Sequence, residues 1–241
     1  MSVGGKSFLD NLGKIYGIYT GGFIIFVILL AIGEQMGMSN AAIGYTYMGI
    51  TIGLYAVIGI SSRTAKISEY YVAGRSVPAV FNGMATGSAW LSAASFIAMA
   101  GTIFGPGYVG LAYIMGWTGG YVLLAVFLGP YLRKFGQYTI PDFLGARFGG
   151  HAARTIGIIA AITASFTYLI AQVTGVGIIM GRFLGLDFKI GVFVGLAGIL
   201  VCSMLGGMKA VTWTQVAQYI ILIMAYLVPP VVMSYKVTGV P

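Results

Sequence analysis

Hydroxyl-bearing and small residues fill one uncharged stretch of the chain, Asn82–Gly101. Thr86, Ser88, Ser92 and Ser95 place oxygens in its middle, and its glycines weaken the helix that its apolar residues favour. The stretch is long enough to cross a bilayer, but polar backbone facing hydrocarbon costs several kcal/mol per group. We therefore expect a broken helix that faces protein or a water-filled cavity, with a site for a cation and a small substrate at the break.

The composition is typical of a membrane protein. Of the 241 residues, 59% are hydrophobic and 7% are charged, against about 25% charged in soluble domains. The single Cys202 and the single His151 exclude an internal disulfide and a metal site built from several thiolates or imidazoles. The net charge of +8 does not indicate nucleic-acid binding, because the cations are scattered between apolar segments. The sequence shows no nucleophile–base pair or phosphate loop, so we do not expect an enzyme.

Seven apolar segments meet or approach the ~20 residues that a membrane-spanning helix needs. They run over about 16–32, 42–61, 78–103, 109–132, 156–180, 190–205 and 211–235. Polar loops are expected at 62–71 and 133–154, and Pro229-Pro230 should kink or end the last helix. No segment has an acidic or basic residue near its centre, which argues against a proton relay and leaves hydroxyl and carbonyl oxygens as ligands.

The loop charges predict the orientation of the chain. With the loops assigned to alternate sides, ten of the thirteen lysines and arginines fall on the side of the N-terminus and three on the other. Because cytoplasmic loops carry the excess of lysine and arginine, we expect the N-terminus to lie in the cytoplasm. The membrane itself is expected to be the plasma membrane. Five charged residues on the predicted cytoplasmic side are interpreted as topology determinants and loop anchors, with a salt-bridge gate as the alternative: Arg75, Arg133, Lys134, Asp142 and Arg147.

Four motif regions, in order and spaced by apolar segments, carry a family resemblance. They are Tyr70–Pro78 with Ser92–Ile97, Tyr138–Phe143 with Arg147-Phe148, Tyr168–Gln172, and Gly206–Gln215. Together they resemble the sodium:solute symporter family. The Ser92–Phe96 and Tyr168–Gln172 segments look most like the acetate permease branch of that family.

The resemblance implies an all-α integral membrane protein with the five-plus-five inverted-repeat, LeuT-like transporter fold. Residues 1–67 would form two peripheral helices, and residues 68–241 would form the first five-helix repeat. A second repeat, in a continuing or separate chain, would complete the core. The implied function is sodium-coupled symport of a small organic anion, a short monocarboxylate such as acetate, by alternating access in the lipid bilayer.

The resemblance also implies the site. Ser88 and Leu91 match the family positions whose backbone carbonyls bind the coupling sodium ion, which is not a prosthetic group. Trp90, Ser92 and Ser95 are the expected substrate contacts beside the break. The alternative interpretation is that the serines only help helices to pack and that Trp90 is a core aromatic residue.

Gln172 is the fourth expected substrate contact, and it shares a helix face with Tyr168, four residues earlier. An amide in a membrane helix either lines the pathway or bonds to another helix, and the second alternative stays open here.

A second hypothesis comes from a different functional class. The chain would then be the membrane input domain of a sensor or scaffold, or a non-transporting half that needs a second chain. The sequence downstream of residue 241 would separate these alternatives, because a second apolar repeat indicates a transporter and a kinase-like soluble region indicates a sensor.

Overall fold

The computed structural model describes residues 11–93, 95 and 98–240, with only the backbone at residues 198, 201 and 202. Lys6 of the charge count and Ala94, Phe96 and Ile97 of the Ser92–Ile97 motif segment therefore lie outside the described residues. The described residues are helical almost throughout and contain no strand. This confirms the predicted all-α membrane class.

Ten α-helices follow one another in the described chain. They are α1 Leu12–Gln35, α2 Asn40–Ser61, α3 Ile67–Val72, α4 Ala79–Trp90, α5 Met99–Phe104, α6 Leu111–Leu123, α7 Gly129–Phe135, α8 Ile140–Phe148, α9 Gly150–Leu184 and α10 Phe188–Thr238. A 3-10 turn, Gly107–Gly110, precedes α6, and a π-helical turn, Leu124–Leu128, joins α6 to α7.

Five of the seven predicted spans are single helical segments long and apolar enough to cross a membrane. They are Leu12–Gln35, Asn40–Ser61, Gly107–Phe135, Gly150–Leu184 and Ser203–Thr238. The other two behave differently. The predicted 78–103 span is divided into α4 and α5, and the predicted 190–205 span overlaps a shorter apolar segment, Phe188–Ala197, at the start of α10.

A kink in α10 lies at a glycine. Gly207 has φ 52° and ψ −144°, a conformation outside the helical region, whereas Pro229 and Pro230 lie inside a helix that continues to Thr238. The prolines were predicted to kink or end this helix, and the second alternative is wrong because the helix continues beyond them. Glycine accepts a positive φ that a side chain resists, so the backbone turns most readily at Gly207.

The predicted polar loops contain short helices. Residues 62–71 include most of α3, and residues 133–154 include α8. Pro141 and Asp142 lie in the first turn of α8, and the hydroxyl of Thr139 accepts a hydrogen bond of 3.2 Å from the backbone nitrogen of Asp142. Arg154 then pairs with Asp142 at 2.7 Å, which fastens α8 to the start of α9.

The described chain divides into two compact units. The first comprises residues up to Trp90, Met180–Asp187 and the chain from Ala197 onwards. The second comprises Leu91–Ile179 and Phe188–Leu196.

An aromatic and aliphatic cluster forms the centre of the first unit. Its buried members are Leu12, Ala85, Trp213 and Val216. Tyr16 packs on this cluster and donates a hydrogen bond of 3.2 Å to the carbonyl oxygen of Trp213. The cluster therefore joins α1 and α4 to the second half of α10.

Large apolar side chains cover the exterior of the long helices. Ile25, Val126, Ile159 and Val228 are all at least 58% exposed. A water-soluble protein does not leave continuous apolar helices uncovered in this way. Their surface suits the hydrocarbon of a bilayer, with further protein able to cover part of it.

Candidate functional site

The chain leaves helical geometry at the position where the sequence predicts a break. α4 ends at Trp90, Leu91 and Ser92 are not helical, and helical geometry returns at Ala93. The backbone at Ser95 and Ala98 is π-helical. An interrupted helix leaves carbonyl groups without their usual i+4 amide partners, and such carbonyls are available to a cation.

Ser88 lies on the last turn of α4 and is buried, with 6% of its surface exposed. Its side-chain oxygen Oγ has no hydrogen-bond partner among the described residues. A buried polar atom of this kind is uncommon, because leaving it unpaired costs about 1–3 kcal/mol. The Ser88 hydroxyl can therefore form a hydrogen bond with a group that lies outside the described residues.

Close packing against α10 fixes the position of α4 within the first unit. A methyl group on Gly87 would lie 2.9 Å from the Cε2 atom of Tyr219. One face of α4 also contributes Ala85 to the cluster that contains Trp213 and Val216. The residue beside Ser88 must be small for α4 and α10 to approach this closely.

The second unit holds the remaining predicted contacts. Ser95 donates a hydrogen bond of 3.1 Å to the carbonyl oxygen of Ser92, so these two residues meet. A methyl group on Gly175 would clash with the Cβ of Ala93, which brings α9 close to the chain just after the break. Small residues thus allow a close approach at this point also.

Gln172 lies on α9, three residues before Gly175. Its amide nitrogen Nε2 is buried and has no hydrogen-bond partner among the described residues. No described residue therefore accepts an interhelical hydrogen bond from that nitrogen, and both alternatives for Gln172 stay open. Tyr168, on the same predicted face, is 53% exposed.

The two units divide the six predicted site residues. Ser88 and the half-buried Trp90 belong to the first unit, while Leu91, Ser92, Ser95 and Gln172 belong to the second. Among the described residues there is no group of three or more histidine, cysteine, aspartate or glutamate side chains that could hold a metal ion.

Sequence reasoning missed two polar features of the first unit. Thr214 has a buried side-chain oxygen without a partner in the described chain, and its hydroxyl in a small-residue motif was the available signal. Glu69 forms an ion pair of 2.7 Å with Lys209. These two charges are far apart in the sequence: Glu69 lies just before the Tyr70–Pro78 motif and Lys209 lies within the Gly206–Gln215 motif, and no periodicity links them.

Glu69 is surrounded by donors. Its Oε2 accepts hydrogen bonds from the Thr64 hydroxyl at 2.9 Å and from Lys209 Nζ at 2.7 Å, while Lys66 Nζ lies 3.2 Å from Oε1. Hydrogen bonds from Lys209, Thr64 and Lys66 favour the carboxylate and lower the pKa of Glu69 from 4.5 to about 2. The carboxylate is therefore charged at any physiological pH.

Comparison with known proteins assigns the chain to a family. A profile of the sodium:solute symporter family matches residues 70–241. An uncharacterised symporter of Cupriavidus necator is 54% identical over 235 residues, covering 95% of this chain and 34% of that protein. An uncharacterised symporter of Bacillus subtilis is 33% identical over 189 residues, covering 77% of this chain and 36% of that protein.

The chain thus spans about a third of the length of the curated relatives that it matches. No solved structure matches it at a significant level. The matched region includes every motif that carried the resemblance, and the helices long enough to cross a membrane agree with a transporter. The chain belongs to the sodium:solute symporter family.

Proposed function

We propose that the protein containing this chain is a secondary transporter that couples sodium entry to the uptake of a small organic anion. Family membership supports solute symport, and sodium is the coupling ion that the family implies in general. The observation that carries the proposal within this chain is the interruption of α4 at Leu91 and Ser92 beside the buried Ser88.

The proposed sodium ligands on this chain are the backbone carbonyls of Ser88 and Leu91. They lie at i and i+3 on either side of the end of α4, where unwinding can turn two carbonyls toward one ion. Hard cations generally prefer about six oxygen ligands, so two carbonyls make only part of a site. In this proposal the remaining oxygens come from the second repeat of the complete transporter.

The proposed substrate is a short monocarboxylate such as acetate. Trp90, Ser92, Ser95 and Gln172 offer hydroxyl, indole and amide groups, which are the neutral donors that a carboxylate needs. Support comes from the buried amide nitrogen of Gln172, which has no partner in the described part of the chain, and from the sequence likeness to the acetate permease branch. A small anion requires few contacts, and neutral donors can bind it without a buried permanent charge.

The proposed mechanism is alternating access. Sodium stabilises an outward-open arrangement, and substrate binding then permits inward opening. Coupling requires that each ligand binds the two arrangements with different affinities, because a ligand that binds both equally shifts neither population. In this proposal the N-terminus is cytoplasmic and the protein lies in the plasma membrane, in agreement with the distribution of loop cations.

Uptake of radiolabelled acetate by proteoliposomes containing the complete protein tests the proposal. An inward sodium gradient should accelerate uptake at least about tenfold over a potassium gradient of equal size, because the ion gradient supplies the driving force. Labelled pyruvate and a neutral amino acid serve as comparison solutes. Uptake that ignores the sodium gradient would refute the coupling, and the absence of uptake of any monocarboxylate would favour the sensor alternative.

A further inference from the structure

The kink in α10 is tied to the segment between α2 and α4 at several points. The backbone nitrogen of Thr64 donates a hydrogen bond of 3.3 Å to the carbonyl oxygen of Leu205, just before the kink. Lys209, just after the kink, reaches Glu69 of α3 at 2.7 Å. The two attachments therefore bracket Gly207.

The backbone at the kink packs directly on α3. A methyl group on Gly207 would lie 2.5 Å from the carbonyl oxygen of Tyr70, and one on Gly206 would lie 3.2 Å from that of Ser62. Such close approaches leave no space for side chains at these two positions. A change in the angle at Gly207 must therefore displace α3 unless the contact opens.

A strained turn connects α3 to α4. Ala73, Gly74 and Arg75 have φ values of 49°, 65° and 52°, all in the left-handed region. For alanine and arginine this region is unfavourable by about 1 kcal/mol or more each. A short turn in a restricted conformation transmits displacement better than a long flexible loop, and α4 ends at the proposed sodium ligands.

We propose that Glu69 and Lys209 are positioning residues that form a latch across the Gly207 kink. The latch holds α3 on α10 and thereby fixes the start of α4 in the arrangement that binds sodium. Without the latch the angle at Gly207 can change, and the arrangement that binds sodium becomes less populated. The apparent affinity for sodium then falls in proportion to the population of that arrangement. This inference rests on the proposed function for its effect on sodium, but the latch itself does not.

The chain offers a matched control. Lys66 also contacts Glu69, but it lies three residues earlier in the same segment and its side chain is 77% exposed. Lys66→Met removes one positive charge beside Glu69 and leaves the bridge to α10 intact. Lys209→Met also removes one positive charge beside Glu69, but it breaks the ion pair between α3 and α10. Lys209→Arg keeps both the charge and the ion pair.

The first experiment measures opening of the latch without transport. In the complete detergent-purified protein, with Cys202→Ser as background, a cysteine is introduced by Ala210→Cys, because Ala210 is 0% exposed and adjoins Lys209. Lys209→Met should raise the rate at which maleimide labels this cysteine about tenfold, since the rate follows the fraction of molecules in which the latch is open. Lys66→Met and Lys209→Arg should leave that rate unchanged within about twofold.

A second reporter separates local opening from misfolding. Ala85→Cys is the same exchange at a position that is 5% exposed in the core around Trp213. Its labelling should not change in the Lys209→Met protein. The latch is refuted if the cysteine of Ala210→Cys is labelled at the same rate in the Lys209→Met and Lys66→Met proteins. It is also refuted if Lys209→Met raises the labelling rates of both reporter cysteines.

The third measurement distinguishes positioning from a structural effect. In proteoliposomes, Lys209→Met should raise the sodium concentration for half-maximal acetate uptake at least about threefold, with Lys66→Met unchanged. A merely destabilised protein would lower the maximal rate and keep the half-saturating sodium concentration, which would overturn the proposed role. If wild-type protein takes up no acetate, the proposed substrate is refuted, and the labelling experiment still decides the latch.

Discussion

At the scale of single residues, hydrogen bonding separates the serines of the interrupted helix. The Ser95 hydroxyl bonds to the Ser92 carbonyl oxygen, whereas the buried Ser88 hydroxyl has no partner among the described residues. The serines therefore differ in what they can offer a ligand. Ser88 offers two oxygens near the end of α4, its hydroxyl and its backbone carbonyl. Replacing the side chain removes the hydroxyl and keeps the carbonyl, so substitution distinguishes which of the two binds the ion.

Replacement of Ser88 by alanine tests whether the carbonyl or the hydroxyl serves the ion. The carbonyl proposal predicts that Ser88→Ala keeps the half-saturating sodium concentration within about twofold. Thermal stability should stay equal or rise by up to about 1 kcal/mol, because no existing hydrogen bond is lost. Sodium-dependent uptake and thermal unfolding measure the two effects. A tenfold weaker sodium response would instead assign the hydroxyl to the ion.

Gln172 gives a second prediction at this scale. Gln172→Leu keeps a similar volume but removes the amide, so it should raise the KM for acetate at least about tenfold if the amide binds the carboxylate. Thr174→Val is the control, because the Thr174 hydroxyl is exposed and bonds to the Ile170 carbonyl oxygen of its own helix at 2.9 Å. Equal KM values for the two variants would remove Gln172 from the substrate site.

At the scale of elements, small residues decide how closely the helices approach one another. Gly87 faces Tyr219, whereas a methyl group on Gly83, one turn earlier on α4, would meet no described residue within 4 Å. The two glycines therefore have different roles in one helix. Gly87 permits a helix contact, and Gly83 only weakens the helix.

Gly87→Val should force α4 away from α10, because its side chain would overlap the Tyr219 ring. The expected loss is about 1–3 kcal/mol of stability, with a lower unfolding temperature in detergent. Gly83→Ala should leave stability equal or raise it by up to about 1 kcal/mol through better helix propensity. A Gly87→Val protein as stable as the Gly83→Ala protein would contradict this packing.

The Glu69 cluster predicts a dependence of stability on pH. Its pKa is lowered from 4.5 to about 2 by Lys209, Thr64 and Lys66, so the folded state favours the carboxylate. The stabilisation from Glu69 should be constant above about pH 5 and should disappear as the pH falls from about 4.5 toward 2.

Thermal unfolding of wild-type and Glu69→Gln proteins measures this stabilisation. The difference between their unfolding temperatures should be flat from about pH 8 to about pH 5 and should shrink below that range. A difference that changes between pH 6 and 8 would show that Glu69 titrates in that range and is not held charged by its neighbours.

At the scale of the whole molecule, the long apolar helices and the loop cations define a topology. Gly149 precedes α9 and Gly185 follows it, so one crossing of the membrane separates them. Arg133, Lys134 and Arg147 lie shortly before Gly149 in the chain. The start of α9 is thus predicted to lie on the cytoplasmic side of the membrane, where lysine and arginine are in excess.

Fusions of alkaline phosphatase test this orientation, because the enzyme is active only outside the cytoplasm. A fusion after Gly149 should be inactive, and one after Gly185 should be active, with at least about tenfold difference at equal expression. A green fluorescent protein fusion at each position provides the opposite control. The reverse pattern would place the N-terminus outside and would contradict the loop-charge argument.

The helix interruption and the membrane spans could be predicted from local sequence. Leu91 and Ser92 leave the helix within a stretch rich in glycine and serine, and long apolar runs specify spans by their length alone. The polar loops were less well predicted, because α3 and α8 are short and lack the periodicity of long helices. Pro229 and Pro230 misled the prediction of the helix end, since a proline can remain within a membrane helix.

The sequence by itself determined the membrane class, the approximate spans, the position of the break and the family motifs. All of these depend on composition and spacing along the chain. Only the tertiary structure decided that no described residue bonds to the Ser88 hydroxyl and that Glu69 meets Lys209, 140 residues away. The physical reason is that hydrogen bonding and charge pairing depend on neighbours in space, and the fold brings these neighbours from distant parts of the chain. The interrupted helix thus follows from local preference, while its packing and its attachment to the α10 kink follow from the fold.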